Sequence, residues 1–244
     1  MIYVSYGMKK AGSTLSFEMT KEILEQNGMP QNRLSNEVVD QKHKVNFVEN
    51  FTAEALEKLV SEVEAVGYPV IIKTHQRPSR EIAEMIRDGK IIGQAAYRDP
   101  RDTALSLVDA GTHARERGRP AFSEFSALDD TIKTIRRQID WLEEWLELPN
   151  IMPIYYEDMA FDTDPTIRRV AAQLDLPVDP AKAKATVTNG RFTQFNKGIS
   201  QRYLNEMSEA DKARFTDMFG DFIDRYCGPD REKQPRHSFA VQSS

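Results

Sequence analysis

Cysteine is almost absent from this sequence: Cys227 is the only one among 244 residues. A single thiol cannot form an intramolecular disulfide, and it leaves too few thiolates for a zinc or iron–sulfur site. The composition therefore excludes a disulfide-stapled scaffold and fits a reducing compartment. We expect a cytoplasmic protein.

An excess of basic residues is also missing. The 33 Lys and Arg are outnumbered by 38 Asp and Glu, which gives a formal net charge of −5. Non-specific binding of nucleic acid depends on cations that neutralise phosphates, so a net acidic chain is a poor candidate for it. Taken over the whole chain, the same balance argues against a highly anionic ligand.

Long apolar runs are lacking too. None approaches the roughly 20 residues that a membrane-spanning helix needs, and we expect no membrane span. The first residues do not resemble a signal peptide, because Lys9 and Lys10 follow the apolar residues instead of preceding them. Hydrophobic residues make up 40% and charged residues 29%, which is ordinary for a soluble globular protein.

What the sequence does contain is an alternation of strand-like and helix-like segments. Short apolar runs typical of buried strands begin at Ile2, Val70, Ile91 and Ile151, and segments with helical spacing or helix caps separate them. This order predicts an α/β fold with a mainly parallel sheet flanked by helices on both faces. We place that domain at residues 1–227 and predict that the polar, non-periodic residues 228–244 form a disordered tail.

One connection stands out between two of the predicted helices. A helix is predicted from about Arg101 to Val108, and the arginine-bearing stretch Gly111–Ser126 is predicted to be a loop or lid. Ser126 with Asp129 predicts a capping box for the helix that follows. The arginines of this stretch could favour an acidic acceptor, although a solvated loop is an equally good interpretation.

The link between the first strand and the first helix has the composition of a phosphate-binding loop. Gly12 permits close approach of the backbone, Ser13 and Thr14 add hydroxyl donors, and helix N-termini attract anions. Gly7 and Gly12 have the spacing of a Walker A motif, but Ser13 follows Gly12 where an NTPase has lysine; the lysine here is Lys10. An ordinary strand–turn–helix with two surface lysines is the alternative.

Three further groups of polar residues follow predicted strands. Lys73 and His75 close the second, and a histidine there could act as a general base. Arg98 closes the third, with Ser106 two turns into the next helix, and an arginine can bind phosphate with two donors. Tyr156 closes the fourth. The alternatives are a hydrogen-bonded structural histidine, a salt-bridged turn and an acidic helix N-terminus.

These groups fall at successive strand ends, and the carboxyl ends of parallel strands line the ligand crevice of such folds. In this order they resemble the sulfotransferases that use 3′-phosphoadenosine 5′-phosphosulfate (PAPS), over residues 3 to 226. The family's P-K-[SAT]-G-T-T loop reads K-K-A-G-S-T at residues 9–14. Its K-T-H, R-[ND]-P-[KR]-D and Y-E-D segments match residues 73–75, 98–102 (with the later Ser106) and 156–158; its R-K-G segment matches 196–198 in part.

The resemblance implies a single P-loop-type domain and a role for each matching residue. Lys10 would stabilise the leaving group, Lys73 would bind the transferring sulfuryl group, and His75 would take the proton from the acceptor. The cofactor PAPS, which leaves as PAP, would be bound at the following positions: Lys10, Gly12, Ser13, Thr14, Arg98, Ser106, Tyr156, Lys197 and Gly198. The reaction would transfer a sulfuryl group in line, without a metal ion.

The acceptor would be a small molecule or carbohydrate with a hydroxyl or amine group. Two other functions stay open: a P-loop kinase or NTPase, and a non-catalytic nucleotide-binding protein. Lysine at 10 instead of 13 and the K-T-H segment argue against the kinase, and the presence of Lys10 and His75 argues against an idle protein.

The sequence departs from the family pattern at two positions. Leu15 stands where many members have tryptophan, and Asn196 replaces the late arginine that would contact the 3′-phosphate. Arg191 or Arg202 could supply the missing charge.

Overall fold

The centre of the fold is a parallel sheet, seen in a computed structural model that describes residues 1–39, 45–188 and 199–229. Within these residues the sheet has four strands, ordered β2-β1-β3-β4. They are β1 (Ile2–Gly7), β2 (Val70–Thr74), β3 (Ile91–Tyr97) and β4 (Ile151–Tyr155). All three pairings are parallel, as the sequence predicts.

A short segment before the second helix extends the sheet beyond β2. Phe47 forms a parallel bridge with Lys73, and the backbone amide of Lys73 donates to the Asn46 carbonyl at 2.7 Å. The polar residues around this segment carry no period-2 pattern, which is why the sequence leaves it unassigned.

Helices cover both faces of the sheet. In the described ranges they are α1 (Ser13–Gln26), α2 (Ala53–Val66), α3 (Arg80–Arg87), α4 (Pro100–Glu116), α5 (Leu128–Leu146), α6 (Tyr156–Phe161), α7 (Thr163–Leu174), α8 (Pro180–Thr188), α9 (Tyr203–Glu206) and α10 (Glu209–Phe222), with a π-helical turn at Ile223–Cys227.

Two hydrophobic clusters hold these layers together. One packs α1, α7 and α8 on Tyr3 and Ile71 of one sheet face. The other packs α2 to α5 and α10 on the opposite face, around Val4 and Ile72. Neighbouring residues of one strand thus enter different clusters, because successive side chains point to opposite faces. The predicted single α/β domain with helices on both faces is confirmed. None of the described helices is long and apolar enough to cross a membrane.

Side-chain caps begin several helices, and the capping box predicted for α5 lies one residue from its expected position. The side chains of Thr52 and Ser208 accept from the backbone amides three residues on, as N-caps do. The cap of α5 is shifted by one residue: Asp130, not Asp129, accepts from the Ser126 amide and hydroxyl at 2.8 and 2.7 Å. Because α5 begins at Leu128, Asp130 is its third residue, where a capping-box carboxylate must lie.

Helix α4 is much longer than predicted. It continues from Pro100 through Gly111 to Glu116, so the first third of the predicted Gly111–Ser126 loop is helical. Gly111 does not end the helix; it lets the following loop pack on it, since a Cβ there would overlap the Phe125 carbonyl oxygen. The predicted tail from residue 230 onward lies outside the described residues, so the boundary at 227 stays a prediction.

Candidate active site

The four strands end at one edge of the sheet, and predicted site residues directly follow three of them there. The register pairs Tyr6 of β1 with Thr74 of β2, and Tyr97 of β3 with Tyr155 of β4. The residues directly beyond these pairs include His75, Arg98 and Tyr156. Parallel register therefore brings together groups that lie up to about 150 positions apart in the chain.

The loop between β1 and α1 is a tight turn with two residues in the left-handed region. The Ala11 amide donates to the Met8 carbonyl at 3.2 Å, and φ is 67° at Lys10 and 81° at Gly12. A Cβ on Gly12 would lie 2.6 Å from Met159 Cε and 2.7 Å from Tyr156 Cδ2. Glycine is thus required at position 12, and it brings the start of α1 against α6. The first amides of a helix have no intrahelical acceptor, so they are available to an anion.

Lys73 joins the second strand end to this loop. Its Nζ donates to the Thr14 hydroxyl at 2.8 Å, and only 7% of the residue is exposed. Burial lowers the pKa of Lys73 to about 8, and the carboxylate of Glu18 partly offsets that effect. A buried ammonium beside a helix N-terminus is a group that an anionic ligand would stabilise.

His75 is tied to the same loop from the other side. Its Nδ1 lies 2.6 Å from the Gly7 carbonyl oxygen. A carbonyl oxygen only accepts, so Nδ1 carries the hydrogen, and in the neutral ring Nε2 then carries the lone pair. The contact fixes the tautomer in which Nε2 can take a proton. The ring also packs against Phe47, with centroids 5.5 Å apart.

Arg98 and Tyr156 form a second cationic group at the edge. The guanidinium lies 4.1 Å from the centroid of the Tyr156 ring, which itself packs on Gly12. Arg98 Nη2 donates to Asp102 at 3.0 Å and to the Ile199 carbonyl at 3.3 Å, and Glu157 lies 3.7 Å away. Arg98 Nε is buried with no hydrogen-bond partner among the described residues.

The purely structural interpretations of these motifs are also correct in part. The salt-bridged turn exists: Arg101 pairs with Asp99 at 2.6 Å, and Arg98 pairs with Asp102 at 3.0 Å. Tyr156 begins α6, so Glu157 does lie in a helical first turn. Ser106 is buried one turn beyond Asp102 on the same face of α4. Lys197, Gly198, Asn196 and Arg191 lie outside the described residues.

Arg202 and Asp109 complete the charged surroundings of Lys10. Arg202 is 2% exposed, and its guanidinium pairs with Asp109 at 2.8 Å and with both oxygens of Glu206 at 2.7 and 2.9 Å. Its Nη1 is buried without a hydrogen-bond partner in the described ranges. Burial lowers the pKa of Lys10, the charges of Arg98 and Arg202 add to this, and Asp109 opposes it.

A family model with the description Sulfotransferase domain matches residues 4–224. The chain belongs to the sulfotransferase family. The reaction class of this enzyme is therefore sulfuryl transfer, and the resemblance of its motifs is confirmed.

Solved structures with the same fold come from sulfotransferases and a dehydratase. Retinol dehydratase, in complex with androsterone and inactive cofactor PAP, aligns with a TM-score of 0.59 and 15% identity over 91% of this chain and 80% of its own. Mouse sulfotransferase SULT7A1, complexed with PAP, aligns with a TM-score of 0.56 and 16% identity over 95% and 86%. At these identities the likeness establishes a shared fold. No curated protein sequence matches significantly.

The sulfotransferase also has site neighbours that the sequence did not predict. Asp109 was missed because the helix was expected to stop at Val108, although the three-residue step from Ser106 keeps it on the same face. The ring of Phe122, from the loop after α4, lies 5.9 Å from Lys10 Nζ. Arg115 fixes this loop by donating to the Ser123 and Phe125 carbonyls at 3.0 Å each.

No group of three or more His, Cys, Asp or Glu that could hold a metal ion occurs in the described part of the sulfotransferase.

Proposed function

We propose that this sulfotransferase transfers a sulfuryl group from PAPS to a hydroxyl or amine acceptor and releases PAP. The observation that carries the proposal is the bond from Lys73 to Thr14 at the start of α1, on the edge where Arg98 stacks on Tyr156. The Lys73–Thr14 pair and Arg98 are two separate anion-binding groups, which a nucleotide with phosphates at the 3′ and 5′ positions of its ribose requires. The presence of PAP in the solved relatives supports the same cofactor.

The residues of the site fit this cofactor. Arg98 Nε and Arg202 Nη1 are buried donors with no partner among the described residues, and a buried donor is costly unless something accepts from it. Phosphate oxygens are suitable acceptors for guanidinium groups. We assign the 5′ side to Lys10, Gly12, Ser13 and Thr14, and the 3′-phosphate to Arg98 and Ser106. Tyr156 is assigned to the adenosine side, and Lys197 and Gly198 keep the assignment implied by the motif.

The chemistry is assigned to three side chains. PAPS, when bound, supplies the sulfuryl group and a phosphate that leaves with negative charge. Lys10 stabilises that charge, and Lys73 stabilises the sulfuryl oxygens. His75 Nε2 takes the acceptor proton, while the Gly7 carbonyl holds Nδ1–H and stabilises the charged ring. We place charge stabilisation on these side chains and not on a metal ion.

Arg202 is our candidate for the charge that Asn196 does not supply. Its Nη1 is the one guanidinium nitrogen of this residue left without a described partner, since Nε and Nη2 are bound to Glu206 and Asp109. We expect Arg202→Ala to weaken PAP binding at least fivefold, because a charge-assisted hydrogen bond contributes roughly 1.5–3 kcal/mol. Arg191→Ala is the comparison. Unchanged PAP affinity in both variants, measured by calorimetry, would remove this assignment.

The proposal is tested by a thermal shift assay with two ligands. We expect PAP to raise the melting temperature and ATP with Mg²⁺ to leave it unchanged. The opposite pattern would support a P-loop kinase or NTPase. A screen with [³⁵S]PAPS should then find the acceptor, starting with apolar alcohols, because a solved relative holds retinol and androsterone. PAP binding without transfer to any acceptor class would indicate a non-catalytic nucleotide-binding protein.

A further inference from the structure

Helix α5 contacts the loop between β1 and α1 through a buried glutamine. The backbone amide of Lys9 donates to Gln138 Oε1, which joins residues 129 positions apart. Gln138 is 3% exposed, and its backbone carbonyl accepts from the Tyr6 hydroxyl at 3.3 Å. The side chain and the backbone of this residue therefore both hold the segment that precedes Lys10.

The loop needs such a contact because its conformation is unfavourable for its sequence. Lys9 and Lys10 are the central residues of the turn that the Ala11–Met8 hydrogen bond closes. Lys10 has a φ of 67° and Lys9 does not have a positive φ, which is the pattern of a type II turn. The third residue of that turn is usually glycine, so a lysine there persists only where the surroundings fix it.

We infer that Gln138 is a positioning residue that holds the Lys10 turn through the Lys9 amide; this rests on the proposed function of Lys10. Lys10 itself has no contact from Gln138 in the hydrogen bonds described, so the effect passes through the backbone. Without Gln138 Oε1 the Lys9 amide loses its acceptor, and the turn loses the contact that opposes its strain.

The same helix also holds the segment that carries His75. Trp145 Nε1 donates to the Gln76 carbonyl at 2.9 Å, and the Trp145 ring stacks on Tyr6 with centroids 5.5 Å apart. Gln138 and Trp145 lie two turns apart on α5, so one rigid element fixes the loops of Lys10 and His75 relative to each other.

The inference predicts that proline at position 9 makes Gln138 dispensable. The second position of a type II turn favours proline, which lacks an N–H and presets φ. We would measure the effect of Gln138→Met twice, once in the wild-type protein with Lys9 and once in the Lys9→Pro variant. In the Lys9 background we expect PAP affinity to fall about tenfold, because a buried amide left without an acceptor is unfavourable and the turn is then no longer held in place. In the Lys9→Pro background we expect less than a threefold change.

Turnover gives the readout that a purely structural role would not change. At saturating PAPS, Gln138→Met should still lower kcat, because the displaced turn misplaces Lys10, and Lys9→Pro should restore most of it. The control is Gln173→Met, another hydrogen-bonded glutamine, which bridges Gly93 and Asn150 at the opposite edge of the sheet. It should lower the melting temperature and leave PAP affinity unchanged.

Each outcome separates this inference from the proposed function. Equal losses in the two backgrounds, or no loss in either, would overturn the role of Gln138 while wild-type PAP binding keeps the proposed function. Failure of the wild-type protein to bind PAP would overturn the proposed function. The melting temperatures of the wild type, the two single variants and the double variant would then still report whether Gln138 and Lys9 are coupled.

Discussion

His75 is held in one tautomer by its contact with a backbone atom, the Gly7 carbonyl oxygen. We expect His75→Ala to lose roughly 10²–10⁴-fold in turnover, the usual contribution of a positioned general base, and to keep its PAP affinity. Transfer from [³⁵S]PAPS and calorimetric PAP binding measure the two quantities. His113→Ala is the matched control, since His113 is exposed near the end of α4. Near wild-type turnover in His75→Ala would show that another group is the base.

Lys73 should make ligand binding depend on pH. Because burial lowers its pKa from 10.5 to about 8, the ligand-free protein loses this charge as the pH rises through 8. We expect the 5′-phosphate of PAP, bound beside Thr14, to stabilise the charged form of Lys73. PAP affinity should then fall between pH 8 and 10, and binding at pH 8.5 should take up protons. Calorimetry in buffers of different ionisation enthalpy measures this uptake. Lys73→Arg, which stays charged, should reduce it.

The stability of the ligand-free protein should change with pH in the opposite direction to PAP affinity. The unfolded chain keeps its Lys73 proton up to a pKa near 10.5, whereas the folded protein releases it near 8. Between these values the unfolded state binds more protons, so Lys73 makes the free energy of unfolding rise with pH. A flat difference between wild type and Lys73→Met across this window would contradict the lowered pKa.

At the scale of elements, Gly12 determines how close α1 comes to α6. We expect Gly12→Ala to displace Tyr156 and with it the stacking on Arg98, since the new Cβ would lie 2.7 Å from Tyr156 Cδ2. Gly67→Ala is a close control: its φ of 79° matches the 81° of Gly12, and no atom lies within 4 Å of its Cβ. Both variants should lose about 1 kcal/mol of stability from backbone strain. PAP affinity should fall in Gly12→Ala alone; equal affinities would refute the packing argument.

The elements also show how far sequence reasoning reaches. The strand ends were predictable because each apolar run stops at a glycine or a polar residue, namely Gly7, His75 or Arg98. This change in residue type can be recognised in the sequence without knowing how the strands pack. The length of α4 was not, because Gly111 reads as a helix stop until the Phe122–Phe125 loop is seen against it. Gln138 was missed because the contact that gives it a role is to Lys9, a residue distant in the chain. Asp109 was missed because α4 was expected to end before it, and its partner Arg202 is also distant in the chain.

Over the whole molecule, a net charge of −5 coexists with a local concentration of cations. Lys10, Lys73, Arg98 and Arg202 come from separate segments and lie at one edge of the sheet, where carboxylates such as Asp102 hold some of them. The net charge of the whole chain is therefore a poor guide to the charge of the ligand, because it averages over the entire surface. The net charge still argues against non-specific nucleic-acid binding, since that binding depends on an extended basic surface.

The same arrangement predicts that recognition needs both ends of the nucleotide. Under the proposed function, the loop at the end of β1 and Arg98 at the end of β3 bind separate phosphates, so PAP should engage both and 5′-AMP only the first. We expect PAP to raise the melting temperature more than 5′-AMP at equal concentration. In Arg98→Lys, which keeps a charge for Asp102 but lacks the forked donor, the difference should shrink. Equal shifts by PAP and 5′-AMP in the wild-type protein would show that Arg98 binds no phosphate and has a structural role alone, through Asp102 and Tyr156.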